Sequence, residues 1–258
     1  MSLPEPAAGA ALHLRPTAPL AERVLLPGDP GRALALAQAL LAEPRMFNHH
    51  RGLWGYTGAA ADGEPLTIQA TGMGGPSAAI VLSELIALGA RRAIRVGTCG
   101  ALDSSLALGE LVIARESICA DGTSSALGFA ERVAADEALT RALEAAAGSA
   151  RAGTVISVDL FYDDVRRSRE HDALAIEMEA AALFALGSNE EVSVACVLAV
   201  SDTFDARGAR TRIDDHLLRD AAESMGALAL RALGGSERGS VPEPESESGS
   251  RSEPRGRG

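Results

Sequence analysis

The stretch RRAIRVGTCG, residues 91–100, decides the fold class. It predicts a buried strand that ends in glycines. The segment before it, PSAAIVLSELIAL (residues 76–88), predicts a helix, and GELVIARESI (residues 109–118) predicts the next strand. This order of strand and helix is typical of α/β proteins.

The same alternation extends in both directions. Further strands are predicted at RVLLPG (23–28), PLTIQATG (65–72), AGTVISVD (152–159), ALAIE (173–177) and VSVACVLAVSD (192–202). Further helices are predicted at GRALALAQALL (31–41), DEALTRALEAAAG (136–148), MEAAALFALG (178–187) and roughly 214–233. We therefore predict a three-layer α/β/α sandwich with a mixed, mostly parallel central sheet, which binds its ligand at the carboxyl ends of the strands.

The two ends of the chain differ from the middle. Residues 1–11 are rich in Pro, Ala and Gly, and residues 235–258 contain one large apolar residue, Val241. Such segments bury too little surface to offset the entropy of ordering, so both are predicted to be disordered. Residues 12–234 contain no linker and are predicted to form a single domain.

Composition excludes several classes of protein. The formal net charge of −11 argues against nucleic acid as the main partner. The three cysteines, Cys99, Cys119 and Cys196, fit no zinc spacing and favour a reduced, cytoplasmic protein. The N-terminus lacks the basic region of a secretory leader, and no uncharged stretch is long enough to span a membrane.

Two strand ends carry candidate anion-binding groups. In PGDPGR (27–32), Gly28 allows a close approach of the backbone, a capped helix begins, and Arg32 offers a fork suited to phosphate. In IRVGTCGAL (94–102), Arg95 is a charge in an apolar strand and Thr98 adds a hydroxyl. Each motif also fits a structural turn whose arginine is solvated or paired to a carboxylate.

Three further strand ends carry candidate groups for a neutral ligand. TGMGGPSAAI (71–80) offers flexible backbone and the apolar Met73. IEMEAAAL (176–183) places Glu179 before an Ala-rich helix, where a carboxylate suits ribose hydroxyls or stabilises the helix start. In AVSDTF (199–204), Asp202 follows a buried strand, where it would act as a general acid or cap a turn.

The five motifs, in this order, resemble the purine nucleoside phosphorylase and uridine phosphorylase family in its hexameric bacterial branch. The resemblance covers roughly residues 12–233 and includes NHHRGLWGYTG (48–58) and SVDLFY (157–162). It implies phosphorolysis: inorganic phosphate, as co-substrate, splits a nucleoside into a free base and (deoxy)ribose 1-phosphate. The resemblance implies no metal site and no organic cofactor. It also implies no nucleic-acid or membrane partner.

The resemblance also implies the role of each matching residue. Phosphate would be held by Gly28, Arg32, Arg95 and Thr98, and by Arg51 of a neighbouring subunit. Ribose would be held by Met73, Met178, Glu179 and, across the subunit interface, His13. The base would lie against Cys99, Gly100, Phe161, Glu177 (chiefly its backbone) and Ser201, and Asp202 would donate a proton to purine N7. Because sites are shared, a homo-oligomer is implied, expected to be a hexamer built as a trimer of dimers.

Purines are favoured over uridine by Ser201-Asp202 and by the absence of Gln after Phe161-Tyr162, although the choice between 6-oxo and 6-amino purines stays open. The arginine that assists the catalytic Asp in purine members is open too, with four candidates: Arg207, Arg210, Arg212 and Arg219. Uridine phosphorylase, a water-using nucleosidase and a silent nucleoside-binding protein remain alternatives. The three arginines at positions 32, 51 and 95 favour phosphate over water.

Overall fold

The computed structural model describes residues 11–163 and 165–234, without the side chain of Arg167. Its strands are β1 (Arg23–Leu26), β2 (Leu41–Asn48), β3 (Gly55–Ala60), β4 (Pro65–Gln69), β5 (Arg92–Ala101), β6 (Leu111–Ala120), β7 (Arg132–Ala134), β8 (Arg151–Val158), β9 (Ala175–Glu177), β10 (Ser193–Phe204) and β11 (Arg210–Arg212). Its helices are α1 (Pro30–Leu40), α2 (Gly75–Ala87), α3 (Gly122–Ala126), α4 (Glu137–Ala147), α5 (Val165–Ser168), α6 (Ala180–Asn189) and α7 (Asp215–Gly234), and a 3₁₀ turn spans His50–Gly52.

The disordered tails predicted at the two ends fall outside the described residues, apart from Ala11, which packs against the apolar core. Every strand and helix predicted for the middle of the chain is present. The strand β2 was not predicted, because it contains Pro44 and most of its side chains are exposed.

The strands form one mixed sheet, as predicted for the α/β class. At its centre β1 runs parallel to β4 and β5, and β5 runs parallel to β10. The strands β6, β8 and β9 are also parallel to one another, whereas β2 and β3 add antiparallel pairings at one edge. The carboxyl ends of β1, β5 and β10 consequently meet at one edge, where the candidate site lies.

Part of this sheet closes on itself, which the sequence did not predict. The long strand β10 pairs on one side with β5 and on the other with β6. The sheet continues from β6 through β8 to β9, and β9 returns to pair with the end of β5. The pairing of β10 with β5 shifts register between Val200 and Asp202, so Asp202 stands at an irregularity in the strand.

Helices cover both faces of the sheet, which gives the three predicted layers. Alternate residues of β10 face opposite ways: Ala195, Val197 and Ala199 pack with α1, α4 and α7, whereas Cys196 and Leu198 pack with α2 and α6. Alanine fills much of the second layer, and the first eight residues of α6 are buried. Within the described part of the chain, no helix is both long and apolar enough to cross a membrane.

Candidate active site

Arg95 is the buried cation at the centre of the candidate site. It lies on β5 with 3% of its surface exposed. Its Nε donates to Glu177 Oε2 over 3.1 Å, and its Nη2 donates to Glu179 Oε2. The third nitrogen, Nη1, is buried and has no hydrogen-bond partner among the described residues. A buried donor without a partner is costly, so this atom is suited to an anionic ligand.

Glu179 stands immediately before α6, as predicted, and turns inward. Besides its ion pair with Arg95, it accepts a hydrogen bond from the backbone N–H of Gly74 at 2.5 Å. Gly74 has a φ of 87°, a conformation that glycine adopts without strain. The glycine-rich turn before α2 is thereby tied to the start of α6, and each oxygen of the Glu179 carboxylate keeps a further lone pair for a ligand hydroxyl.

The Glu177 side chain is engaged in buried hydrogen bonds. Its oxygens accept hydrogen bonds from the N–H groups of Glu179 and Ala180 and from the Ser157 hydroxyl. Ser157 is in turn bonded to Ser117, with 2.9 Å between the two hydroxyl oxygens. Glu177 therefore orients Arg95 and supports the start of α6, so its carboxylate is fully used in hydrogen bonds within the protein.

Burial and charge shift the pKa of both partners in this cluster. Burial alone would lower the pKa of Arg95, but the carboxylates of Glu179 and Glu177 raise it above its ordinary value. Burial raises the pKa of Glu177, and the charge of Glu179 adds to that effect while Arg95 opposes it. Arg95 thus stays charged, and the pair of carboxylates is held in place by one cation.

The first β–α turn brings a second cation to the same edge. Asp29 caps α1 by accepting from the Arg32 backbone N–H at 2.7 Å, as the sequence predicted. Burial lowers the pKa of the Arg32 guanidinium; Asp29 opposes this effect, and the charges of Arg95 and Arg212 add to it. The Arg32 guanidinium forms no hydrogen bond or ion pair with another described residue. Several cations in one place favour an anion.

Two further predicted phosphate ligands, Gly28 and Thr98, lie at these strand ends. A Cβ atom added at Gly28 would stand 3.2 Å from the carbonyl oxygen of Gly72, so the two turns are in close contact. The Gly72 N–H donates to the Gly28 carbonyl oxygen at 3.1 Å. The Thr98 hydroxyl is partly exposed and is not bonded to any described group. The Thr98 hydroxyl is therefore free to bind a ligand, whereas the Gly28 carbonyl oxygen is already engaged by the Gly72 turn.

Asp202 lies near the end of β10 with 4% of its surface exposed. Its carboxylate accepts a hydrogen bond from the Ser201 hydroxyl at 2.6 Å. Arg212 Nη1 donates to both carboxylate oxygens, at 3.2 and 3.3 Å. Among the four candidate arginines, Arg212 is thus the one hydrogen-bonded to Asp202.

The other three candidates are placed differently. Arg210 Nε lies 4.0 Å from the same carboxylate, whereas Arg207 and Arg219 are exposed and form no ion pair with Asp202. The sequence could not distinguish the four, because the choice depends on the short strand β11, whose residues pair in register with the end of β10.

Aromatic rings flank Asp202 on the side predicted for the base. The Arg210 guanidinium lies 4.1 Å from the centre of the Phe161 ring and 5.4 Å from that of Phe204. The Phe204 ring also covers Gly100, where an added Cβ would stand 2.7 Å from Phe204 Cε2. Phe161 and Gly100 were predicted base contacts. The sequence did not identify Phe204 as a neighbour of these residues, although it directly follows Ser201-Asp202-Thr203, and it listed Arg210 only as a candidate to assist Asp202.

The remaining predicted contacts vary in exposure. Met178 is partly buried, but the Met73 side chain is 86% exposed, so it packs little against the described residues. Cys99 is buried, with its thiol 3.7 Å from the Ala199 carbonyl oxygen, and burial raises its pKa well above the usual range. The Cys99 side chain is therefore a neutral, apolar neighbour of the site.

The two residues predicted to serve a neighbouring subunit lie together. His13 Nδ1 is 2.7 Å from Glu84 Oε1, and Glu84 also accepts from the N–H groups of residues 12–14. His50 Nδ1 donates to the His13 carbonyl oxygen at 3.0 Å. Arg51 follows directly, exposed and with a φ of 59°, a strained value for a residue with a side chain. His13 and Arg51 are thus held on one surface.

One groove of the molecule lies away from the candidate site. An open groove of about 430 Å³ lies between α6, β7 and the start of β10, and none of the predicted site residues lines it. No group of three His, Cys, Asp or Glu side chains within residues 11–163 and 165–234 could hold a metal ion. The chemistry-bearing residues therefore converge at the strand ends around Arg95 and Asp202.

Comparison with known proteins identifies the family of this chain. A sequence model of the family described as "Phosphorylase superfamily" matches residues 22–234, and the chain belongs to this family. A purine nucleoside phosphorylase DeoD-type of Bacillus cereus is 37% identical over 195 residues, which are 71% of this chain and 82% of that protein. The protein of the same description from Alkaliphilus metalliredigens is 38% identical over 204 residues, 74% of this chain and 87% of that protein. The predicted family is confirmed.

Proposed function

We propose that this chain is a purine nucleoside phosphorylase, which uses inorganic phosphate to release the base of a purine nucleoside and form (deoxy)ribose 1-phosphate. The observation that carries the proposal is Arg95: a guanidinium fixed by Glu177 and Glu179, with one buried nitrogen still without a partner among the described residues. The relatives described as purine nucleoside phosphorylases support the same reaction.

Phosphate would lie between Arg95 and Arg32, with Gly28 and Thr98 beside it. Arg95 and Arg32 provide charge-assisted hydrogen bonds, which are the strong ones. The Thr98 hydroxyl has no competing partner within the described part of the chain, whereas the Gly28 carbonyl oxygen is already bonded to the Gly72 N–H. A water-using nucleosidase has no need of this concentration of cations.

Ribose would be oriented by Glu179, whose carboxylate accepts hydrogen bonds from the 2′- and 3′-hydroxyls. Its position is fixed by Arg95 and by the Gly74 N–H, so the sugar is bound next to the phosphate. As the glycosidic bond breaks, the sugar gains positive charge that the phosphate stabilises before attacking C1′. The reaction needs no metal or organic cofactor.

The departing base would be protonated at N7 by Asp202. Proton transfer from a positioned carboxyl prevents the base from leaving as an anion. Arg212, hydrogen-bonded to both carboxylate oxygens, stabilises the negative charge that remains on Asp202 after the transfer. Ser201 fixes the orientation of the same group.

The working unit would be a homo-oligomer, for which we propose a hexamer built from three dimers. Arg51 and His13 lie on one surface of the chain, and the exposed, strained conformation of Arg51 suits a residue that completes a neighbour's site. A cytoplasmic location is favoured by three cysteines that form no disulfide.

Base release from inosine, adenosine and uridine, each with and without phosphate, tests the proposed function. Purine release that requires phosphate and yields ribose 1-phosphate supports it. Release in the absence of phosphate would identify a nucleosidase, and release from uridine alone would overturn the purine assignment. Tight binding of nucleosides without base release would identify a binding protein.

A further inference from the structure

A buried pair of serine hydroxyls lies behind the Glu177 carboxylate. Ser117 on β6 and Ser157 on β8 both have 0% of their surface exposed. Their hydroxyl oxygens are 2.9 Å apart, and the Ser157 hydroxyl donates to Glu177 Oε1. The strands fix this arrangement, because Ser157 pairs directly with Glu177 between the parallel strands β8 and β9. Buried hydroxyls need hydrogen-bond partners, and here those partners lead towards the candidate site.

The hydrogen bonds of this serine pair have one direction. A carboxylate only accepts, so the single hydrogen of the Ser157 hydroxyl is directed to Glu177. The Ser157 oxygen in turn accepts from the Ala181 N–H at 2.9 Å. Ser117 must then be the donor to Ser157, in preference to the Ile118 carbonyl oxygen, which lies farther away at 3.3 Å. The order of donation is therefore from Ser117 to Ser157 and from Ser157 to Glu177.

The Glu177 carboxylate connects this serine pair to Arg95. Its Oε1 accepts from Ser157, whereas its Oε2 accepts from Arg95 Nε at 3.1 Å. Because the two oxygens are bound from different sides, the carboxylate cannot rotate without breaking one of these hydrogen bonds. Burial raises the pKa of Glu177, and the Ser157 hydrogen bond opposes that rise and so favours the charged form that pairs with Arg95. The Ser157 hydroxyl thereby fixes both the orientation and the charge of the group that holds Arg95.

We propose that Ser157, supported by Ser117, is a positioning residue for phosphate, which acts through Glu177 to hold the Arg95 guanidinium in the orientation that binds the anion. This inference rests on the proposed function, in which Arg95 binds phosphate. The free Nη1 of Arg95 is the atom whose direction depends on that orientation.

A purely structural role of Ser157 is the competing explanation, because its oxygen also accepts from the first turn of α6. The two explanations predict different results. Loss of positioning weakens phosphate binding and leaves nucleoside binding nearly unchanged. Loss of support for α6 lowers stability and weakens the binding of both substrates together, since Glu179 stands at the start of the same helix.

Titration calorimetry with inorganic phosphate, together with phosphate-dependent kinetics on inosine, tests the proposal. In Ser157→Ala we expect Kd and KM for phosphate to rise about tenfold, while KM for inosine changes less than about twofold. Ser117→Ala should raise the phosphate values by about two- to threefold, because Ser157 then keeps its bond to Glu177 but loses its own support. Ser157→Thr keeps the hydroxyl and should restore phosphate binding.

Ser124→Ala is the matched control. It removes another fully buried serine hydroxyl that donates to a carboxylate, in this case that of Asp121 at the start of α3. Since neither residue is bonded to Arg95 or Glu177, this variant should leave Kd for phosphate unchanged. Melting temperatures of all four variants show how much stability each one loses.

The outcomes separate this inference from the proposed function. An unchanged Kd for phosphate in both Ser157→Ala and Ser117→Ala overturns the inference, even if the wild-type chain cleaves inosine with phosphate. Equal losses for phosphate and inosine, with a lowered melting temperature, assign the serines a structural role and also overturn it. If no nucleoside is cleaved with phosphate, the proposed function itself fails, and the Kd values for phosphate still decide whether Ser157 positions Arg95.

Discussion

Gly97 lies directly against the guanidinium of Arg95, two residues away on the same face of β5. A Cβ atom added at position 97 would stand 2.7 Å from Nη2 and 2.8 Å from Cζ of Arg95. The guanidinium cannot easily retreat, because Glu177 and Glu179 hold it from the other side. The glycine thus leaves the space in which Arg95 presents its remaining nitrogen.

The first prediction concerns this contact. In Gly97→Ala the added methyl group displaces Arg95, so we expect KM for phosphate to rise about tenfold and unfolding to become easier by about 1–3 kcal/mol. The measurements are phosphate-dependent kinetics and urea unfolding. Gly122→Ala is the control, since its Cβ would meet only Asp159, at 3.5 Å. An unchanged phosphate KM in Gly97→Ala would argue against Arg95 as a phosphate ligand.

The second prediction concerns proton donation. Asp202→Asn should lower kcat for inosine by about 10² to 10⁴, the usual contribution of a positioned acid. A nucleoside already methylated at N7, such as 7-methylinosine, carries the positive charge from the start and should lose far less. The measurement is the ratio of the two rates in the variant and in Asp172→Asn, an exposed control. Equal losses for both substrates would exclude N7 as the site of protonation.

The third prediction concerns shared sites. Arg51→Ala and Asp202→Asn chains, each nearly inactive alone, should regain about a quarter of wild-type activity when unfolded together and refolded as an equal mixture. Random pairing makes half of the dimers mixed, and each mixed dimer contains one intact site of two. Activity that stays at the level of the separate variants would place Arg51 in its own chain's site or outside any site.

The fourth prediction concerns Glu84 and pH. Burial alone would raise the pKa of Glu84, but hydrogen bonds from Leu14 and His13 lower it below its ordinary value of 4.5. A lowered pKa contributes stability that is fully present above 4.5 and is lost as the pH falls through the lowered value. The contribution therefore belongs to the ionised carboxylate.

Glu84→Gln should accordingly lower the melting temperature at neutral pH, and its difference from wild type should shrink as the pH is lowered through the acidic range. Because Glu84 holds the segment that carries His13, we also expect KM for the nucleoside to rise. Glu22→Gln, an exposed carboxylate in the adjoining segment, is the control. A pH-independent difference would show that the loss comes from packing and not from the charge.

The sequence predicted the parts of this molecule that depend on local pattern. Asp29 followed by Pro30 marked the start of α1, and apolar runs ending in glycine marked the buried strands. Glu179 and Asp202 were identified because a carboxylate beside a long apolar run requires a reason. Each of these signals lies within a few residues of sequence, so it is recognisable without knowing which strands pair.

Features that depend on distant pairing could not be predicted. The choice of Arg212 over three other arginines follows from the register of a three-residue strand. The inward direction of the Glu177 side chain follows from the position of Ser157, twenty residues away. The exposure of Met73 depends on the turn that ties Gly74 to Glu179. Each of these is a tertiary contact between groups that have no signal in their own segment.

The start of α6 has a consequence for how this enzyme family can change. Glu177 and Glu179 both serve the candidate site and support the most buried helix of the described chain, so a substitution there alters chemistry and folding at once. Few substitutions of Glu177 or Glu179 can therefore be neutral. The three side chains of β11 are all exposed, and only Arg212 among them is hydrogen-bonded to Asp202. Substitutions at the other two positions of β11 are expected to be tolerated more readily than substitutions at the start of α6.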